Sequence, residues 1–179
     1  MIGVMRLIGV FNAAIWLGGV VFFTVVASPA LGSSAMGTLL QPRNMPYFAP
    51  GIQHVLLGYY FQFFVVCALI ALIHLTLEWL YLGRPKSRKL PLIVLLGLLG
   101  YGIVGSNMIQ PHLKTTHAIR FSAKAKPVER DAAARSVGRW HVVVLLAQCG
   151  AIACLAVHFW RLANPSDTPR FVSSVKFRG

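Results

Sequence analysis

The chain has 179 residues, of which 56 % are hydrophobic, 12 % are charged and only four are acidic. Soluble domains carry about 25 % charged residues, so this composition excludes a soluble fold and indicates an integral membrane protein. The net charge of +13 would suggest nucleic-acid binding in a soluble protein. Here the basic residues flank the apolar segments, which is typical of membrane proteins and predicts contact with lipids, including anionic headgroups, and not with nucleic acid.

Four apolar segments are each long enough to cross a hydrocarbon core about 30 Å thick. Because lipid offers no hydrogen-bond partners to the backbone, segments of this kind must be helices. We therefore predict an all-α fold, a four-helix membrane bundle in one domain over residues 1–163, followed by a polar, basic tail at 164–179. The predicted spans cover about 4–28, 52–82, 90–110 and 140–163.

The first span is predicted to pack through one face. Asn12, Trp16 and Gly19 recur at helical spacing, and Gly18 also allows close approach of a neighbouring helix. We interpret Asn12 as an interhelical hydrogen-bonding residue. Pro29 is expected to end or kink this helix, and the prolines between it and residue 51 are expected to exclude a long regular element from the connection, apart from a short turn around 36–41.

The third span is rich in glycine, with Gly97, Gly100 and Asn107 on one helical face, so Asn107 is expected to point into the bundle. Gln148 is expected to do the same from the fourth span. The stretch between these spans is basic, and Pro127 followed by acidic residues is typical of a helix start. We predict an interfacial helix here that leads into the fourth span.

The distribution of basic residues favours one membrane orientation only slightly. With the N-terminus inside, nine basic residues lie inside and eight outside, and the short second hairpin, which is densely basic, favours this arrangement. We predict a bacterial inner (plasma) membrane location with both termini in the cytoplasm.

Polar residues gather at one membrane face, opposite the N-terminus. Because spans alternate in direction, His54, His112, His117 and His141 are expected at this face, together with Asn107 and Gln110. A turn after Pro111 is expected to converge His112 and His117 with His54 or His141. Imidazole binds copper and zinc, so this cluster is a candidate metal or small-ligand site, with copper as a possible cofactor.

A second polar site is predicted at the other face, from His74, Glu78 and His158. His74 and Glu78 are four residues apart and share a helical face. Haem is the alternative ligand, held by His74 and His158 or by His54 and His141. Two stacked haems are disfavoured, because His54 and His74 differ by about 200° around their helix.

No paired carboxylates, glycine-rich phosphate loop or nucleophile motif occurs in the sequence, so we predict that the protein is not an enzyme.

Short motifs resemble an uncharacterised four-helix membrane family. They are Trp16-Leu17-Gly18-Gly19 followed by Phe22, Phe23 and Pro29, then Asn107 with Pro111, and Arg139-Trp140-His141. This is the domain-of-unknown-function 4149 group, which is similar to transmembrane-protein-205-like proteins and more distantly to copper-resistance protein D. The resemblance implies the fold, a membrane location and a link to metal handling. Haem-dependent relatives in the wider group carry a first-span histidine, whereas this chain has Asn12 in that region.

Three functions stay open from the sequence. The first is metal or small-ligand handling at the histidine cluster. The second is a structural role as a homo-oligomer or an accessory subunit of a larger membrane complex, with the faces around Gly97 and Gly100 as contacts. The third is a single-haem electron carrier.

Overall fold

The computed structural model describes residues 2–81 and 89–164, and within them every regular element is a helix. Of the basic turn predicted at 83–89 between the second and third spans, residues 83–88 lie outside the described residues, as does the tail from residue 165 onward, whereas Lys89 is the first residue of α5. The elements in chain order are α1 (Ile2–Phe22), π1 (Phe23–Ala27), α2 (Ser28–Leu31), α3 (Ser34–Leu40), α4 (Met45–Tyr81), α5 (Lys89–Val104), π2 (Gly105–Ile109), α6 (Gln110–Phe121) and α7 (Pro127–Ala163).

Four continuous helical segments are long and apolar enough to cross a membrane, which confirms the predicted fold class. They are Gly3–Leu31, Met45–Tyr81, Lys89–Phe121 and Pro127–Ala163. The second and fourth each have 37 residues and are therefore about 55 Å long, well beyond a hydrocarbon core of about 30 Å. The excess extends the bundle beyond the apolar core.

A five-residue π-helical segment precedes a proline in both the first and the third span. Proline has no N–H, and its ring presses on the carbonyl one turn earlier. The wider π turn gives that carbonyl room, so Pro29 and Pro111 are both passed without a break. The first span continues to Leu31, and the third continues to Phe121 instead of ending near residue 110.

The connection after the first span is more helical than the sequence suggested. Ser33 caps α3, since its Oγ accepts a hydrogen bond from the Met36 N–H at 3.2 Å. Helix α4 then begins at Met45, seven residues before the predicted start. Pro46 falls in the first turn, where no N–H bond is lost, and Pro50 lies close enough to the start that only one bond is missing. The expectation that the prolines exclude a long regular element is wrong for residues 45–51, which belong to α4, whereas α3 lies where the short turn around 36–41 was predicted.

The basic stretch before the last span forms the first three turns of α7. Pro127 occupies the first turn, and Glu129 accepts a hydrogen bond from the Lys126 N–H at 3.0 Å, which closes the helix start as predicted. Helix α7 runs unbroken through Gly138 into the membrane segment, so the predicted interfacial helix and the fourth span are one element.

The core lies where α1 and α5 pack against α4 and where α1 packs against α7. Its fully buried large side chains are Trp16, Val20, Phe61, Phe64, Leu95 and Leu155. Helix α1 also packs along α7, and α6 packs along α7 at the end of the bundle opposite the N-terminus. Helices α5 and α7 touch at few points. We call the end that holds Met5 the N-terminal end, and the end that holds α6 the α6 end.

Candidate functional site

Two buried histidines face each other at the α6 end of the bundle. His54 lies in the third turn of α4 and His117 lies in α6, and their ring centroids are 5.3 Å apart with planes inclined by 72°. Each side chain is only 8 % exposed. The pair exists because α6 continues past Pro111 and runs beside the early turns of α4.

His117 is held in one tautomer by the backbone. Its Nε2 lies 3.0 Å from the carbonyl oxygen of Tyr47. A carbonyl oxygen only accepts, so Nε2 must carry the hydrogen, and in the neutral ring Nδ1 keeps its lone pair. The rings of Tyr47 and Phe121 pack against the imidazole, with their centroids 5.2 and 5.0 Å from the centroid of the His117 ring. Nδ1 of His117 is therefore the nitrogen available to a ligand.

His54 has no comparable anchor. Neither of its ring nitrogens finds a hydrogen-bond partner among the residues that the structure describes, although both are shielded from solvent. A buried polar atom without a partner costs about 1–3 kcal/mol. This imidazole is therefore positioned to gain from a ligand that offers it a bond.

The donor set at this end is limited to imidazole. Across residues 2–81 and 89–164, no group of three or more His, Cys, Asp or Glu side chains converges. The His54–His117 pair has no carboxylate or thiolate beside it in that part of the chain. It can offer a ligand two neutral nitrogens and no compensating negative charge.

The other histidines predicted for this cluster do not join the pair. His112 is exposed and faces α7, with Nε2 3.5 Å from Ser136 Oγ and its ring 5.4 Å from that of Trp140. His141 is exposed on α7. Because the segment after Pro111 is a helix and not a turn, His112 and His117 point about 140° apart, and the expected convergence of the two is wrong.

The two amides predicted beside the cluster separate as well. Gln110 is half-buried and faces α4, where its Nε2 lies beside Gly58, about one turn from His54. Asn107 is exposed and donates from Nδ2 to Ile103 O of its own helix at 3.0 Å, so the expectation that it points into the bundle is wrong. The wider π turn between Gly105 and Ile109 alters the rotation of the positions within it, which a regular 100° step does not anticipate.

The second predicted site, at the N-terminal end, is packed against α1. His74 donates from Nε2 to Met5 O at 2.9 Å, and its ring lies against Gly9. Glu78 is half-buried one turn further along α4, and His158 is half-buried on α7 at the same end. As in His117, the bond from Nε2 leaves Nδ1 as the ring nitrogen of His74 with a lone pair in the neutral ring.

The residues predicted to pack the helices divide into two groups. Asn12 donates from Nδ2 to Cys67 O at 3.0 Å, Trp16 is fully buried edge-on to Phe64, Gly19 lies beside Phe63, and Gln148 is 4 % exposed. At Gly18, Gly97 and Gly100, in contrast, an added Cβ would meet nothing within 4 Å. Among the residues that the structure describes, these three glycines bring no helices together.

Sequence reasoning missed the glycines that do carry close packing. An added Cβ at Gly9 would collide with His74, at Gly102 with Val65, and at Gly105 with Phe61. Gly102 and Gly105 are three residues apart, and so are Gly97 and Gly100, so the spacing of the glycines alone does not distinguish the packed pair from the open one. The Tyr47 carbonyl was missed for another reason, since a backbone acceptor has no sequence signature.

Residues 11–122 match the sequence model of the family described as Domain of unknown function (DUF4149). The match covers more than half of the chain. This protein belongs to the DUF4149 family. The matched region runs from α1 through α6 and therefore contains His54, His117 and Tyr47, whereas Gln148, His141 and His158 lie beyond it. Comparison with curated proteins and with solved structures gave no significant match.

Proposed function

We propose that this DUF4149 protein binds a small ligand at the His54–His117 pair, and that monovalent copper is the ligand whose chemistry fits the pair best. The observation that carries the proposal is the state of His54, which is buried beside a second imidazole with both ring nitrogens lacking a partner in the described part of the chain. A bound ion would accept the lone pair of one ring nitrogen of His54 and the Nδ1 lone pair of His117.

The donor set separates monovalent copper from the commoner ions. Zinc favours four ligands, and calcium and magnesium require several oxygens. Two neutral imidazoles supply neither, but a closed-shell monovalent ion accepts two nitrogens in a nearly linear arrangement. The bond from His117 Nε2 to the Tyr47 carbonyl matches the outer contact that metal-ligating histidines commonly make, which fixes the ring and raises its basicity.

The position of the pair in the bundle indicates the side of the membrane from which ligand would be captured. The pair lies at the α6 end, on the opposite side of the apolar core from the N-terminus. In the proposed bacterial plasma-membrane orientation, with both termini cytoplasmic, ligand would be captured from outside the cell. Several basic residues of α6, of α7 and of the turn between them favour anionic lipid headgroups near this end. They are Lys114, Arg120, Lys126, Arg130, Arg135 and Arg139.

A competition experiment tests this function. Detergent-purified protein is mixed anaerobically with ascorbate and the coloured copper(I)–bicinchoninate complex, and loss of the complex's absorbance measures transfer to the protein. The wild type should take one equivalent. The His54→Ala and His117→Ala variants should each lose more than about 100-fold in affinity, since removing a ligand exceeds the effect of removing its outer contact.

His141→Ala is the matched control, because His141 is exposed at the same end and takes no part in the pair. Its affinity should equal that of the wild type. A wild type that fails to compete, or a His141→Ala loss as large as that of His54→Ala, would refute the proposal. Circular dichroism and gel filtration on each variant show whether the fold is intact.

A second candidate function is structural, as a homo-oligomer or an accessory subunit of a membrane complex. The observation in its favour is the open surface of α5 at Gly97 and Gly100, where helix-to-helix contact would be unobstructed. Enlarging either glycine to Leu should then reduce association, measured by native mass spectrometry after gentle solubilisation. The His54→Ala variant should leave that association unchanged.

A further inference from the structure

The two halves of the chain repeat one arrangement of helices. π1 begins at residue 23 and π2 at residue 105, the prolines that follow them stand at 29 and 111, and α4 and α7 begin at 45 and 127, so each pair is 82 residues apart. Short identities occur at the same offset, and they are Leu17-Gly18 with Leu99-Gly100, Pro29 and Leu31 with Pro111 and Leu113, and Cys67, Ile70 and Ala71 with Cys149, Ile152 and Ala153. A two-span unit therefore occurs twice, and the π turn before a proline belongs to that unit.

The π turn before Pro111 is the place where the third span can bend. Pro111 has no N–H, so it gives no hydrogen bond to the carbonyl of Asn107 one turn earlier. Within the π turn the backbone bonds are shifted by one residue, and the Gln110 N–H bonds to Gly105 O. Helices bend at prolines and at π turns, and here the two coincide. Helix α6 follows directly, so it is an arm that a hinge attaches to the bundle.

The His54–His117 pair is closed to solvent in this structure, since each side chain is only 8 % exposed. A metal site needs a path by which the ion enters, so one wall of this site must move. His54 lies in α4, which continues from Pro50 to Tyr81 as a regular α-helix without a further proline. His117 lies in α6, beyond the hinge. The wall that can open is therefore α6.

Helix α6 is held by two seams, of which the one with α4 is the weaker, because α6 packs more extensively on α7. The seam with α4 includes the bond from His117 Nε2 to Tyr47 O and the edge-on contact of Phe121 with Tyr47, whose ring centroids are 5.3 Å apart. Helix α6 is also polar and carries Lys114 and Arg120. Water and headgroups can therefore satisfy its polar groups when the seam with α4 opens.

We propose that α6 is a hinged lid on the His54–His117 pair. It turns about the π turn before Pro111, parts from α4 while it stays on α7, and closes when a bound ion joins the two imidazoles. A ligand that binds only the closed arrangement shifts the population towards it. This inference rests on the proposed copper site. The equivalent arm of the first span, residues 28–40, carries no histidine and supplies a control within the same chain.

Double electron–electron resonance between nitroxide labels measures the position of the lid in detergent-purified protein. One label pair joins Thr115 of α6 to Val55 of α4, and the other joins Thr115 to Arg135 of α7. All three side chains are exposed, and the exposed Cys149 and Cys154 are replaced by serine. The ligand-free protein should show two distances for the α4–α6 pair, and one equivalent of copper(I) should leave only the shorter. The α6–α7 distance should stay single and unchanged.

Pro111→Ala supplies the missing N–H and should remove the longer α4–α6 distance, so that the lid stays closed without copper. Pro29→Ala makes the same change at the equivalent position of the first span and should keep both distances. A single α4–α6 distance that bound copper leaves unchanged, or the same distances in both variants, overturns the proposal. A protein that shows both distances but takes up no copper supports the hinge and refutes the copper assignment, so the two failures are distinct.

Discussion

Helix α4 carries one histidine near each end, and the two are packed in opposite ways. His74 donates to Met5 O and fills the space beside Gly9, so it holds α1 against α4. His54 is more deeply buried, faces a second imidazole and has no hydrogen bond within the described residues. The comparison teaches that helix packing can use one histidine of a helix as a structural contact and leave both ring nitrogens of another without a partner.

The largest expected effect on stability is at the packed end. In Gly9→Ala, the new Cβ would overlap the ring of His74, which its bond to Met5 holds in place. We expect the free energy of unfolding to fall by about 1–3 kcal/mol. Gly18→Ala in the same helix meets nothing and should gain up to about 1 kcal/mol from the better helix former. Thermal unfolding in detergent compares the two variants. Equal stability of both would contradict the packing assigned to His74.

The most informative result would be that replacing His54 and His74 by Leu changes the free energy of unfolding in opposite directions. His74→Leu removes the bond from Nε2 to Met5 O and should lower the free energy of unfolding by about 1–2 kcal/mol. His54→Leu removes buried nitrogens that have no partner, and should be neutral or stabilising by about 1 kcal/mol in the absence of ligand. Unfolding in sodium dodecyl sulfate, followed by circular dichroism, measures both. A destabilised His54→Leu variant would mean that this imidazole already has a structural partner.

The smallest expected effect on stability is at Asn12, which lies between the two ends of the bundle. Asn12→Leu removes the bond from Nδ2 to Cys67 O, and interhelical hydrogen bonds in membranes contribute about 0.6 kcal/mol on average. The same unfolding assay should record a loss of that size, while copper affinity stays at the wild-type value. A change in copper affinity would show that Asn12 contributes to the ligand site. The packing of the helices and the site at the α6 end would then not be independent.

Much of the architecture could be predicted because hydropathy and backbone satisfaction in lipid are strong, local constraints. The start of α7 at Pro127 followed from residue chemistry of the same local kind. Helix continuity past Pro29 and Pro111 could not be predicted, because it depends on the π turn that precedes each proline, and continuity past Pro50 depends on where α4 begins. For this reason, neither the early turns of α4 nor α6 were predicted as helix.

The site was predicted only in part for the same reason. His54 and His117 were assigned to one cluster because topology brings their helix ends together. Which of the neighbouring histidines converge depends on rotation about the helix axis, and the helical course after Pro111 turns His112 away from His117. Asn107 was misplaced because it lies within the π turn, which changes the rotation about the helix axis that sequence periodicity assumes.

X-ray absorption spectroscopy of the protein loaded with one equivalent of copper(I) tests the central assignment most directly. Binding by His54 and His117 alone predicts a two-coordinate ion with two nitrogen ligands from imidazole and the intense pre-edge feature of linear copper(I). The same spectrum should persist in His141→Ala and be lost in His54→Ala. A sulfur ligand, or a shell of three or four ligands, would contradict the two-histidine site.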